Sequence, residues 1–298
     1  MHDESRLREA IDAEPNPLGL DGIEYIEFTA SRPQALGQWL ESLGFRPVAR
    51  HRSREVLLYR QGAMNIVLNA HAGVLRNAPA AEAPAPAIRA VALRVRDARS
   101  AYERALELGA WGVPMHAQVM ELNIPAIHGP GGAHIYFVDR YREFSIYSVD
   151  FLPIPGVDQH PPARAGLHFF GLVQYIGRGR TGDWVDFYER LLGFVRLGDR
   201  QRFGILPRGT LLQSPSPTVS RFYLQLIEPD PMAENSDAPE MFQRIGFGTP
   251  DVANAVAEWR AGGIEFVDGD SVKVTRQGAL TRTLLQSVAF ELVHDARS

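Results

Sequence analysis

Residues 177–194 read GRGRTGDWVDFYERLLGF, and this stretch decides the fold. Trp184, Phe187, Tyr188, Leu191 and Leu192 recur at steps of three and four, which places them on one face of a short helix. Gly193 closes that helix, because glycine takes the left-handed conformation of a C-terminal cap without a Cβ penalty. A second stretch, QWLESLGF at residues 38–45, reads like FYERLLGF at residues 187–194. A strand-like run precedes each, at residues 23–30 and 167–176. One strand–helix unit therefore occurs twice. Weaker copies follow, with a strand at 88–95 before a helix at 98–108, and a strand at 242–248 before a helix at 252–261.

Further strands are predicted at residues 55–60, 64–69, 120–124, 134–138, 202–206, 210–212, 222–227, 273–275 and 283–292. Ser31 is the expected N-cap of a helix over 31–43. Residues 3–13 read as a short helix, and the Ala- and Pro-rich stretch 73–87 as a mobile loop. Four prolines fall within residues 153–166, which marks a linker. The expected plan is α+β: an extension at 1–18, a first domain at 19–153, a linker at 154–166 and a second domain at 167–298, each domain built of two modules. Mixed order with antiparallel strands excludes a doubly wound parallel sheet. GRGR at 177–180 has the wrong spacing for a phosphate loop.

At 298 residues, with 45% apolar and 22% charged residues, the chain can bury two full cores. The net charge of −4 and the lack of a dense basic patch argue against nucleic acid. No apolar run approaches the roughly 20 residues of a membrane helix. The charged N-terminal residues do not read as a signal peptide. The absence of cysteine excludes disulfides and thiolate metal sites and fits a cytoplasmic protein.

Several segments resemble the 4-hydroxyphenylpyruvate dioxygenase family of the vicinal oxygen chelate superfamily. They are NPLGLDGIEYIEF (16–28), RHRSREVLLYRQGAMNIVLNA (50–70), MELNIPAIHGPGG (120–132) and IYFVDRY (135–141) in the first half, and RGRTGDWVDFYERLLGF (178–194) and FGTPDV (247–252) in the second. The resemblance implies paired βαβββ modules, each pair curling a mixed sheet around a cavity. It also implies a non-haem Fe(II), held in the C-terminal domain by two histidines and a carboxylate, that acts on a 2-oxo acid with O2.

The resemblance carries over residue by residue. AFELV at 289–293 puts Glu291 at the carboxylate ligand. LLQ at 284–286 puts Gln286 at a glutamine that shapes the active site. The first histidine falls on Gly171 in a gapless alignment, and on His168 if three extra residues are allowed. The second falls on Arg244, in RIGFGTPD at 244–251. Arginine stays protonated and has no lone pair for a metal. It would repel a cation and tend to pair with Glu291. His160 and His294, the other histidines of the second half, offer no replacement. Strand alternation predicts Phe242, Arg244 and Gly246 on one face. In the first domain the equivalent positions read as Ala90 for the second histidine and Tyr136 for the carboxylate. The chain ends seven residues after Glu291, with no counterpart of the family's lid helix.

Two functions follow. One is an Fe(II) dioxygenase-type enzyme for a small aromatic or 2-oxo acid, with His168 and Glu291 as metal ligands. The other is a metal-free relative that binds a small organic anion or a partner protein, with Arg244 supplying positive charge and Gln174, Gln225 and Gln286 as polar contacts. Family members commonly associate, which implies a homo-oligomer. Relatives also occur fused to sugar-isomerase-like barrels.

Overall fold

The computed structural model describes residues 16–70, 85–114, 122–198, 201, 203–204, 209–229, 239–269, 272–284 and 287–297. The helix expected at 3–13, most of the loop at 73–87, most of the strand at 202–206 and Gln286 lie outside the described residues.

The first sheet follows the order β1 (Ile23–Thr29), α1 (Pro33–Ser42), β2 (Arg46–His51), β3 (Val56–Gln61), β4 (Met64–Asn69), β5 (Ala87–Arg94), α2 (Ala98–Glu107), β6 (Ala126–His128), β7 (His134–Val138), α3 (Ile146–Asp150) and β8 (Phe151–Pro153). The second follows β9 (His168–Tyr175), α4 (Thr181–Leu192), β10 (Val195–Arg196), β11 (Thr210–Gln213), β12 (Tyr223–Ile227), β13 (Met241–Thr249), α5 (Val252–Ala261), β14 (Gly278–Leu280) and β15 (Ala289–His294). The eight-stranded sheet runs β6-β7-β5-β1-β4-β3-β2-β8, and the seven-stranded sheet runs β10-β11-β12-β9-β13-β15-β14. This is the α+β, two-domain plan with open, mixed sheets.

Each module returns its last strand parallel to its first: β4 to β1, β7 to β5, β12 to β9 and β15 to β13. Parallel neighbours need a crossover, and the helix of each module supplies it. The two modules of a domain join through an antiparallel pair, β1 with β5 and β9 with β13.

Local chemistry sets the helix ends. Gly193 caps α4 at φ 72°, as its sequence predicts. Asp97 and Asp251 cap α2 and α5 by accepting from the backbone N–H of Ser100 at 2.6 Å and Asn254 at 3.0 Å. Helix α1 departs from expectation. It starts at Pro33, and Arg32, not Ser31, is its N-cap, with no side-chain bond. Proline suits this first turn because its missing N–H would be unpaired there anyway. Three strands also shift. Residues 122–124 are irregular and the strand falls at Ala126–His128, residues 273–275 are irregular before Gly278–Leu280, and the last strand starts at Ala289.

Helices α1, α2, α4 and α5 lie between the sheets and share one core with both, whereas α3 packs in a second cluster on the other face of the first sheet. Leu36 and Leu40 of α1, Ala101 and Ala105 of α2, Tyr188 and Leu191 of α4, and Val256 and Trp259 of α5 are all buried in it. Trp39 of α1 meets Phe290 of the second sheet with ring centroids 4.5 Å apart, and Phe45 meets Phe247 at 6.0 Å. Each sheet therefore has one face on these four helices and one facing away from them.

Matching β-bulges decide which side chains face outward. In the first domain Ile23 and Tyr25 stand opposite Leu93 and Ala92, so Glu24 is an extra residue. In the second, Phe169 and Gly171 stand opposite Phe247 and Gly246, so Phe170 is extra. A second pair of bulges adds Arg89 to β5 and Gln243 to β13. A bulge resets the alternation of a strand. Phe242 therefore joins the helix-side core while Arg244 faces the other way, which corrects the expectation that the two share a face. The registers also give equivalences. Tyr136 opposes Ala92 as Glu291 opposes Gly246, and Ala90 opposes Glu27 as Arg244 opposes Val173. Tyr136 and Ala90 thus stand where the sequence alignment puts them, and Tyr25 corresponds to Gly171.

Candidate functional site

The outer face of the second sheet carries most of the sequence-predicted residues. Gly171, Gly246 and Glu291 form one row across β9, β13 and β15, and Val173, Arg244 and Ala289 form the next. Glu291 is buried, with only 5% of its surface exposed. It lines a small cavity with Gln225, Phe170, Phe203 and Tyr223. That cavity has a volume of about 30 Å³, room for little more than water. Aromatic rings fill the rest. Phe203 lies 4.4 Å from Tyr223 and 5.2 Å from Phe170 between ring centroids. Gly204 sits against the carboxylate so closely that a Cβ there would meet Glu291 Oε1 at 2.2 Å.

His168 shares this outer face but stands a row further on, opposite Gly248. Its Nε2 is 3.1 Å from Asp295 Oδ2 and its Nδ1 is 3.2 Å from the Gly166 carbonyl oxygen, so both ring nitrogens are engaged away from Glu291. Burial pushes the Asp295 carboxyl up, but hydrogen bonds from Arg297 and His168 outweigh it and hold the group below its ordinary value. Gly171 leaves no space for a side chain. A Cβ there would stand 2.4 Å from the Tyr223 carbonyl oxygen. Arg244 is 5% exposed, so it does not point to solvent. Its guanidinium lies over the Tyr175 ring at 5.9 Å, toward the end of the sheet away from Glu291. Its buried Nε has no hydrogen-bond partner among the described residues. Gln225 is in the cavity, whereas Gln174 faces the helices. Gln174 is fully buried and its Oε1 accepts from the Tyr188 hydroxyl at 2.7 Å, which takes it out of the predicted contact set.

The first sheet encloses a larger cavity, of about 190 Å³. Apart from Tyr136, its lining residues were not singled out in the sequence. Glu27 lines it, and its Oε1 accepts from Asn69 Nδ2 at 2.8 Å. Burial pushes the Glu27 carboxyl up, against the lowering effect of that hydrogen bond and of Arg54. Tyr25 is raised well above its ordinary value, mainly by burial, and Tyr136 is pushed up to about 12 for the same reason.

Comparisons with known proteins show the family and the fold. Residues 15–152 match the family described as hydroxyphenylpyruvate dioxygenase, HPPD, N-terminal. A 4-hydroxyphenylpyruvate dioxygenase of Pseudomonas sp. (strain P.J. 874) is 45% identical over 185 residues, 61% of this chain and 51% of that protein. Another, from Pseudomonas aeruginosa, is 34% identical over 275 residues, 85% of this chain and 72% of that protein. The chain belongs to the 4-hydroxyphenylpyruvate dioxygenase family. It spans about half the length of the first of these relatives and nearly three quarters of the second. A solved xylose isomerase-like TIM barrel/4-hydroxyphenylpyruvate dioxygenase fusion protein shares the fold, with a TM-score of 0.70 at 24% identity over 97% of this chain and 53% of that one. No helix among the described residues is long and apolar enough to cross a membrane.

The resemblance implies an iron triad of two histidines and a carboxylate, and the residues at the aligned positions do not supply that set. Glu291 remains. The first histidine position of the gapless alignment is a glycine closed by β12, and the second is an arginine. Among the described residues, no three His, Cys, Asp or Glu side chains converge as a metal site.

Proposed function

We propose that this chain is a metal-independent member of the 4-hydroxyphenylpyruvate dioxygenase family, which binds a small organic acid without oxidising it. The observation that carries this reading is Arg244. It is a buried guanidinium whose Nε lacks a partner, at the position that aligns with a histidine ligand. A buried donor without an acceptor is costly, and an incoming carboxylate relieves that cost. Gln225 offers a polar contact in the same row, opposite Val173 on the far side of β9. The acid's carboxylate reaches Arg244, and an acid with a large side chain enters by displacing Phe203 from its ring stack. Chemistry at an iron has no support from this ligand set, so no oxidative step is assigned.

The test is calorimetric titration of the chelator-treated protein with 4-hydroxyphenylpyruvate, the substrate named for the relatives. Binding without metal, weakened about tenfold or more in Arg244→Gln, is the expected result, since a hydrogen bond to a charged group has that scale. Binding that requires Fe(II), followed by O2 uptake, would overturn the reading.

A further inference from the structure

The first domain's cavity is the larger of the two cups, and the proposed acid site makes no use of it. The matching bulges show how the two cups diverged. At the place of Gly171 the first domain has Tyr25. At Val173 it has Glu27, and at Glu291 it has Tyr136. The second cup is plugged by Phe203, whereas the first keeps about 190 Å³ open. A dry engineered cavity of about 150 Å³ holds a benzene molecule, so this one takes a single ring with a few substituents.

The lining states the chemistry of that ring. Val56, Val67, Ile124 and Phe151 give it apolar walls. The polar groups gather on the sheet side: the Glu27 carboxylate, held on one oxygen by Asn69, and Tyr136 two strands away. Asp150 adds a second carboxyl group to the lining, and its Oδ1 accepts from the Leu122 N–H at 3.1 Å. Two carboxyl groups in one small cavity disfavour an anionic guest. Arg54 in the same lining disfavours a cationic one. Asn69 donates to one Glu27 oxygen, and the carboxylate lines the cavity, so a guest can donate to it as well. A hydroxyl group supplies that donor without bringing a charge.

We propose that the first domain binds an uncharged, single-ring molecule carrying two or more hydroxyl groups, with Glu27 accepting from one hydroxyl and Asn69 and Tyr136 completing the polar side.

The probe is resorcinol, titrated calorimetrically into the full chain, with benzoate and toluene as comparisons. The wild type is expected to bind resorcinol in preference to both. Glu27→Gln keeps the Asn69 contact and the side-chain volume but loses the charge, and it should weaken resorcinol about tenfold or more. Ala126→Leu, which narrows the cavity from β6, should abolish binding with the fold intact by circular dichroism. Arg244→Gln should leave resorcinol binding unchanged, which separates this site from the acid site. No resorcinol binding by the wild type, equal binding by Glu27→Gln, or a preference for benzoate would each overturn the proposal.

Discussion

Gly171 and Tyr223 are so close that a Cβ on the glycine would lie 2.4 Å from the tyrosine's carbonyl oxygen. The contact is backbone against backbone, between β9 and β12, which pair in parallel with these two residues in register. No side chain can rotate out of the way. Gly171→Ala should therefore cost about 1–3 kcal/mol, the scale of overpacking a tight site. Gly246, its partner on the other side, meets no atom closer than 3.6 Å. Gly246→Ala should be neutral, or stabilising by up to about 1 kcal/mol through the unfolded state. Urea denaturation of the two variants checks the contrast.

Arg244 should be a residue kept at the expense of stability. Its Nε is buried without a partner, and burying an unsatisfied polar group costs about 1–3 kcal/mol in proteins. Arg244→Met fills a similar volume with no charge, so the variant should unfold at higher denaturant concentration than the wild type. Lower stability in Arg244→Met would mean that the guanidinium is well satisfied.

Glu27 predicts a pH dependence. Its folded pKa is raised by burial, so the folded state holds the proton more tightly than the unfolded state does. That contribution is fully present below the unfolded value of about 4.3 and is lost as pH rises through the raised folded value. Glu27→Gln removes the loss. The variant should match the wild type near pH 4 and exceed it at pH 7 in chemical denaturation.

Asp251 caps α5 through the Asn254 N–H at 3.0 Å. Asp251→Ala should lower stability by about 1 kcal/mol, and Asp251→Asn should stay near wild type, because asparagine caps a helix equally well. A comparable loss in both variants would assign the effect to charge and not to the cap.

The architecture was legible in the sequence where one residue type does one job. Apolar residues at three- and four-residue steps gave the helices, and Gly193 gave an end. Asp97 and Asp251 also cap, although neither was expected from the sequence, whereas the expected cap Ser31 does not. The bulges were not legible. Nothing in Phe170 or Gln243 announces an extra residue, yet Gln243 puts Phe242 and Arg244 on opposite faces. The engagement of His168 with Asp295 joins residues 127 positions apart, and the Phe203 plug comes from outside the strands that form the cup. Both depend on tertiary packing. Glu27 was passed over because strand alternation gives a polar residue a default reading as solvent-facing, and here the outer face is roofed by Ile146, Tyr147 and Phe151.

The central claim is that the second domain no longer holds iron. The most direct test is bound metal per chain after anaerobic loading with Fe(II), for the wild type, Arg244→His and Glu291→Ala. We expect no stoichiometric iron in the wild type. Near-stoichiometric iron in the wild type, lost in Glu291→Ala, would contradict it and show that a reduced ligand set around Glu291 still works.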